Sequence, residues 1–453
     1  MSTREDYWAT RLHAAVDEHP GALAFDVPSY VAAGRRRVRR NRAAALVATV
    51  AAVTVVAAVA AVAGTGMRDG APPPANPGRH IPVLEPGTNG WIAIGAYQDG
   101  GDIYLVRPGA DARPLKGAAS PEADESCPAW SPDGTRLLFG RASALSGGTF
   151  EESELVIVPV DREGAAGKPI VIGLDGFEAT RHYEVFPCGI WAPDGRWVAL
   201  AGTDEVWVVD TQTAEIRRLP DLRPSDLEWR PGTDQLAIAG DVGGPVMQTT
   251  STPVMVYTVS SGELRELGSV EAALVTWSPD GTALAYTGGE QEEPDAGELW
   301  VADSEGSNER LVVPDMGIAI HGIGPVWSPT GDRIAYQRCE PDADQSPQFY
   351  CTGERHEVVL VSVPDGTERV IRPPKTPGGP FYPYTVTWSP DGTTLLYSGW
   401  VNTATGEAPD GVIAVPADDP KDLTVLSDAI SRPVPAYHDH RWVQTQMWGG
   451  ESE

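Results

Sequence analysis

Trp130-Ser-Pro-Asp-Gly, Trp191-Ala-Pro-Asp-Gly, Trp229-Arg-Pro-Gly, Trp277-Ser-Pro-Asp-Gly, Trp327-Ser-Pro-Thr-Gly and Trp388-Ser-Pro-Asp-Gly are six copies of one phrase in a chain of 453 residues. Consecutive tryptophans lie 61, 38, 48, 50 and 61 residues apart. Self-similarity at such a period signals stacked supersecondary units rather than one mixed core. Each phrase runs into a short apolar stretch: Leu137-Leu-Phe, Val198-Ala-Leu, Leu236-Ala-Ile, Leu284-Ala-Tyr, Ile334-Ala-Tyr and Leu395-Leu-Tyr. A second apolar run follows, as in Leu155 to Val160 or Val358 to Val363, and then a shorter third. The repeat reads as strand, Pro-Asp-Gly turn, strand, connection, strand, tight turn, strand. Four-stranded antiparallel units repeated radially make an all-β fold, the β-propeller.

The chemistry of the phrase fits that role. Trp ends the innermost strand, where its ring fills the wedge between neighbouring blades. Pro presets φ for a turn, and Asp and Gly satisfy or tolerate its tight backbone. These residues therefore read as scaffold and not as sites. A seventh copy lacks its innermost strand: Trp91-Ile-Ala-Ile, then Ile103-Tyr-Leu-Val, then Pro114-Leu. A C-terminal strand within Pro433 to Trp442 is expected to complete that blade and close the ring, removing exposed edges. Seven blades are expected, with six and a terminal unit outside the ring as the alternative.

The Trp-Ser-Pro-Asp-Gly repeat over roughly residues 90–445 resembles the propeller of TolB and its relatives. The resemblance implies the fold. It implies no activity, because propellers host many unrelated functions.

Ahead of the repeats lies an apolar segment. Ala43 to Ala63 holds 21 residues of Ala, Val and one Leu, broken only by Thr49 and Thr54. As a helix it would span roughly 31 Å, the thickness of a bilayer core. Residues 43–66 are thus expected to form one transmembrane helix. The preceding Arg35-Arg-Arg-Val-Arg-Arg-Asn-Arg42 belongs on the cytoplasmic side, which places the propeller outside the cell membrane. The competing reading is a signal peptide cleaved near Ala63, giving a secreted protein. Residues 67–89 contain six prolines and read as a semi-rigid linker. Residues 446–453 read as a tail.

Charge divides along the same line. Residues 1–42 hold eight Arg and five acidic residues, a net +3; the whole chain carries −29, so the remainder carries −32. Such an acidic exterior domain repels nucleic acid and suits a cationic ligand, a basic partner or simple solubility. Four cysteines fit an oxidising exterior. Cys339 and Cys351 flank a loop between two strands of one blade. Cys127 and Cys188 each stand three residues before a repeat Trp, at equivalent places on adjacent innermost strands. Two disulfides are expected, with zinc ligation as the alternative.

The long connections indicate where function belongs. In an up-and-down blade, the first and third turns share one face. The second connection and the crossover to the next blade share the other. The second connections are long here (Arg141 to Ser153, Asp241 to Thr252, Gly288 to Gly297, Arg338 to Glu357, Trp400 to Asp410), and long loops on a rigid scaffold commonly carry recognition. Crossovers on that face supply the partner-binding candidates: His182, Tyr183, Glu184, Asp226, Glu228, His321, Tyr382 and Tyr384. The competing reading is that Phe186, Phe381 and Tyr384 plug gaps between blades. No G-x-S-x-G, H-E-x-x-H, P-loop or G-x-G-x-x-G motif occurs, so no catalytic residue, metal or cofactor is expected.

The leader, residues 1–42, contains a capping box at Ser2-x-x-Glu5 and a short amphipathic helix bearing Trp8 and Leu12. Its Asp26-Val-Pro-Ser-Tyr-Val-Ala-Ala-Gly-Arg-Arg-Arg stretch resembles leaders of actinobacterial membrane proteins associated with sigma factors. That resemblance implies a cytoplasmic sigma-factor partner; the competing reading is a plain positive-inside leader. Three functions therefore stand open: an envelope scaffold or sensor that binds a protein or peptide, a transmembrane anti-sigma-like regulator, and a propeller-type lyase or hydrolase.

Overall fold

A computed structural model describes residues 89–95, 103–107, 110–115, 120, 123–143, 153–177, 188–239, 252–288, 297–316, 324–339, 356–371, 381–401, 410–418, 424–425 and 448–450. They form seven four-stranded antiparallel sheets. Blade 1 contains β1 (Asn89–Gly95), β2 (Ile103–Arg107) and β3 (Ala110–Pro114). Blade 2 is β4 (Ala123–Trp130), β5 (Arg136–Ser143), β6 (Ser153–Pro159) and β7 (Ile170–Gly173). Blade 3 is β8 (Gly189–Trp191), β9 (Trp197–Ala201), β10 (Glu205–Asp210) and β11 (Ile216–Pro220). Blade 4 is β12 (Asp226–Trp229), β13 (Gln235–Ala239), β14 (Thr252–Thr258) and β15 (Glu263–Ala272). Blade 5 is β16 (Leu274–Trp277), β17 (Ala283–Gly288), β18 (Glu298–Asp303) and β19 (Arg310–Val313). Blade 6 is β20 (Val326–Trp327), β21 (Arg333–Cys339), β22 (His356–Ser362) and β23 (Glu368–Ile371). Blade 7 is β24 (Phe381–Trp388), β25 (Thr394–Val401), β26 (Asp410–Pro416) and β27 (Thr424–Val425).

The ring closes through β28 (Trp448–Gly450), which pairs antiparallel with β1 as the innermost strand of blade 1. Here the sequence expectation needs correction. The closing strand lies within the residues read as a tail, downstream of Pro433 to Trp442, which fall outside the described residues. Register explains the choice. Ile92 opposes Trp448 as Leu137 opposes Trp130 and Leu236 opposes Trp229, so the last tryptophan of the chain takes the repeat-Trp position of blade 1. Seven blades replace the six-blade alternative.

Hydrophobic clusters lie between blades, because each strand face looks toward a neighbouring blade. Trp91, Ala93 and Leu105 meet Trp130, Leu137 and Phe139 between blades 1 and 2. Ile92, Ile94 and Val106 share a cluster with Leu396 and Ala414 of blade 7, which closes the circle. Each repeat tryptophan is nearly inaccessible, from 1% at Trp191 to 7% at Trp327. Four of them also reach backward. The indole N–H of Trp191, Trp229, Trp327 and Trp388 donates to the carbonyls of Ala129, Ile190, Thr276 and Val326 at 3.1–3.2 Å. Each acceptor immediately precedes the tryptophan of the blade before.

The Pro-Asp-Gly turns are self-contained. Asp133 Oδ1 accepts from Ser131 Oγ (2.6 Å), Thr135 N (3.1 Å) and Thr135 Oγ1 (2.8 Å), and Gly134 adopts φ +66°. Blades 5 and 7 repeat the pattern at Asp280 and Asp391. Partial burial pushes the Asp133 carboxyl up, yet the Ser131 and Thr135 bonds outweigh it and hold it below its ordinary value. Arginines on the same face then latch the blades together. Arg136 Nη2 donates to Gly195 O at 2.6 Å while its guanidinium stacks 4.7 Å above Trp191. Arg230 does the same to Gly281 O (2.9 Å) and Trp277. Arg217, Arg310 and Arg369 donate to Val259, Val363 and Asp418 carbonyls of the following blades.

No helix among the described residues is long and apolar enough to cross a membrane. The leader, the expected transmembrane segment 43–66 and the linker up to residue 88 lie outside those residues.

Candidate functional site on the long-loop face

The innermost strands run from the face carrying the second connections and crossovers toward the Pro-Asp-Gly face. The third residue before each repeat tryptophan therefore forms a layer nearer the long-loop face. Around the ring that layer holds Cys127, Cys188, Asp226, Leu274, Gly324 and Thr385.

Blades 2 and 3 are joined there by the Cys127–Cys188 disulfide, with Cα atoms 5.1 Å apart. The bridge has a local cause. The β4–β5 pairing is interrupted between Ser126 and Ala129, and Cys127 takes a left-handed φ of +56°, so the bulge departs from the regular ladder. Gly189 supplies the close approach on the other side. A Cβ there would stand 2.7 Å from Val198 Cγ1 and 2.8 Å from Leu138 Cδ2 of blade 2. The Cys339–Cys351 expectation depends on residue 351, which lies outside the described residues.

Asp226 is buried at the head of β12. Its Oδ1 accepts from Leu227 N (3.1 Å) and its Oδ2 from Val275 N of blade 5 (2.8 Å), so one carboxylate holds two innermost strands. Ser225 bridges the same blades, donating to Ala239 O (3.1 Å) and Ala273 O (2.6 Å). A Cβ on Gly324 would lie 3.6 Å from Leu274 Cβ and 4.0 Å from Asp226 Oδ2, so the layer is narrow at this point. Glu228 follows two residues later, where other blades carry Ala129, Ile190, Thr276, Val326 and Thr387. Its carboxyl is pushed well above the ordinary value, first by burial and then by the Asp226 charge. Trp277, like Trp130 and unlike the other four repeat tryptophans, has a buried indole N–H with no partner among the described residues.

Asp226 and Glu228 are thus brought together as a coupled pair, one fixed by main-chain donors and one favoured in its protonated form. Tyr382 and Tyr384 lie on β24, whose first residues pair with Val401 to Gly399 beyond the Cys127–Asp226 layer. His182, Tyr183, Glu184 and His321 fall outside the described residues. No group of three or more potential metal ligands occurs among the described residues.

Two clusters of opposite charge, around Arg141 and around Arg338, were not read from the sequence. Glu125, 1% exposed, accepts from Arg141 Nε and Ser120 N, each at 2.8 Å. Arg338 meets Glu357 at 3.3 Å and Glu368 at 2.8 Å. The signal was opposite charge at directly opposed positions, Glu125 facing Arg141 and Glu357 facing Arg338. It becomes visible only once the register is known.

No protein-family model and no curated protein sequence matches this chain. Solved propeller structures do resemble it. An oligogalacturonate lyase from Vibrio parahaemolyticus aligns at 13% identity and a TM-score of 0.47, covering 75% of this chain and 84% of the lyase. A TolB-like protein from Agrobacterium tumefaciens aligns at 18% and 0.39, covering 67% and 95%. Dipeptidyl peptidase 4 from Porphyromonas gingivalis aligns at 11% and 0.41, covering 77% of this chain and 54% of the peptidase. At these identities they are likenesses of fold and assign no activity.

Proposed function

We propose that this chain is a membrane-anchored, extracytoplasmic propeller that binds a protein or peptide partner on its long-loop face. One observation carries the reading. The opposite face spends its polar groups internally, in the Ser-Asp-Thr turns and in arginine latches from blade to blade. Recognition is left to the face where the second connections and crossovers emerge. Anchoring through residues 43–66, with the Arg35–Arg42 run inside, follows from the sequence alone.

Affinity capture from detergent-solubilised membranes tests this, comparing the full chain with one lacking residues 2–34. Envelope proteins or peptides recovered equally by both place function in the propeller. A sigma factor recovered only with the leader replaces this reading by the anti-sigma-like regulator. Release of a propeller beginning near Gly64 replaces the anchor by secretion.

A second reading, a propeller lyase or hydrolase, rests on the Asp226–Glu228 pair. A carboxyl pushed upward beside a second carboxylate held by main-chain donors is an arrangement that acid–base chemistry uses. Turnover by the full chain that is lost in Glu228→Gln would support it. Absence of turnover on polyuronate and peptide substrates would remove it for those classes.

A further inference from the structure

Blade 3 differs from the other six in one respect. Its second and third strands are joined by residues 202–204 alone, whereas the corresponding connections elsewhere span 96–102, 144–152, 240–251, 289–297, 340–355 and 402–409. The connection at blade 3, Gly202 to Asp204, thus adds little bulk of its own to the long-loop face. Blade 4 opens space on its side. β14 and β15 are paired at Met255–Glu266 and next at Pro253–Glu271, so β15 peels away between those points. The released stretch turns through Gly268 (φ +57°) and packs Leu267 and Val270 into the cluster shared with blade 5. A groove of about 590 Å³ occupies the space left between blades 3 and 4. That volume falls in the range typical of ligand sites.

The floor of the groove is apolar. Ile238 is 3% exposed, and Leu222 and Met255 are partly buried against the same core cluster. Its rim is acidic. Among the described residues, Asp204, Asp221 and Glu266 line it with a single cation, Arg223, whose Nε already meets Asp204 at 2.9 Å. The carboxylates of Asp221 and Glu266 make no hydrogen bond or ion pair among the described residues, and both residues are exposed. An apolar floor of Leu and Met beneath two uncompensated carboxylates matches one side-chain chemistry: an aliphatic stem ending in a cation.

We infer that this groove binds a basic, apolar peptide segment, seating an Arg or Lys stem on Leu222 and Met255 with its charge between Asp221 and Glu266. The inference rests on the reading of the long-loop face as the recognition face, and it names the partner chemistry. The acidic net charge of the whole chain, −29, adds long-range attraction for such a segment.

The test is fluorescence anisotropy with the full chain in detergent. The probes are labelled Leu-Arg-Leu-Arg and Leu-Gln-Leu-Gln tetrapeptides with blocked termini, at low and high salt. Asp221→Asn with Glu266→Gln forms the groove variant. Asn tolerates the left-handed φ of +62° at residue 221, so the backbone is preserved. Glu163→Gln, an exposed carboxylate on the opposite face, is the control. The expected result is salt-sensitive binding of the basic probe only, weakened about tenfold in the groove variant and unchanged in the control. Equal binding by wild type and groove variant overturns the groove but leaves a peptide-binding propeller standing. Equal binding of the neutral probe overturns the cationic class. No binding of either probe overturns the inference, while partner capture still decides the broader reading.

Discussion

The repeat tryptophan is the smallest unit that explains this ring, since it both fills the gap between blades and donates across it. Trp327 makes the indole bond to the preceding blade and Trp277 does not, although both are buried. Trp327→Phe should therefore cost about 1 kcal/mol more than Trp277→Phe, the net worth of one buried hydrogen bond. Denaturant midpoints of the two variants measure that difference directly. Glu228 acts in the opposite sense. Its folded pKa is raised, by burial and by Asp226, so the native state holds its proton more tightly than the unfolded chain. Its contribution is fully present below the ordinary value of 4.5 and declines as pH rises toward the folded value. Glu228→Gln should accordingly match wild type at pH 4 and melt higher at pH 8, by roughly 2–4 °C for each kcal/mol relieved. Melting curves across that range check it. Asp226 and Glu228 could be picked from the sequence as unusual acids, although they read there as crossover residues and stand instead on the innermost strand β12. Their coupling could not, since it depends on how blade 5 covers them.

At the level of elements, departures from the regular strand ladder mark the particular features of this propeller. The bulge at Cys127 and the absence of a side chain at Gly189 bring blades 2 and 3 within disulfide reach. Cys127→Ser with Cys188→Ser should lose about 2–4 kcal/mol, because the bridge closes a loop of 61 residues in the unfolded chain. Thermal melts of wild type with and without reductant should reproduce the loss if the bond forms as described. Equivalent positions relative to Trp130 and Trp191 made this pairing legible in advance. The peeling of β15 from β14 was not legible. Its cause, Gly268 packed against the Gly306 backbone of blade 5, joins residues far apart in the chain.

Across the whole molecule, stability depends on three residues at the end of the chain. Removing residues 448–450 leaves β1 as an unpaired innermost edge and blade 1 one strand short. The expected outcome is a melting temperature lower by roughly 5 °C or more, with association through the exposed edge. Calorimetry and size-exclusion chromatography would detect both. A truncated chain that melts like wild type and stays monodisperse would show that closure by β28 does not hold the ring. Arginine latches on the Pro-Asp-Gly face reinforce the circle from the rim.

The sequence by itself determined the repeat, the propeller architecture it builds, the inward place of the tryptophans and the equivalence of Cys127 and Cys188 within adjacent repeats. All of these follow from local periodicity and from positions counted within one repeat. Only the tertiary structure decided which C-terminal residues close the ring, because the register of β28 against β1 joins opposite ends of the propeller. It alone revealed the Glu125–Arg141 pair, the environment of Glu228 and the groove between blades 3 and 4. Each of these arises where two strands or two blades meet, and the distance between such surfaces is set by packing around the whole ring.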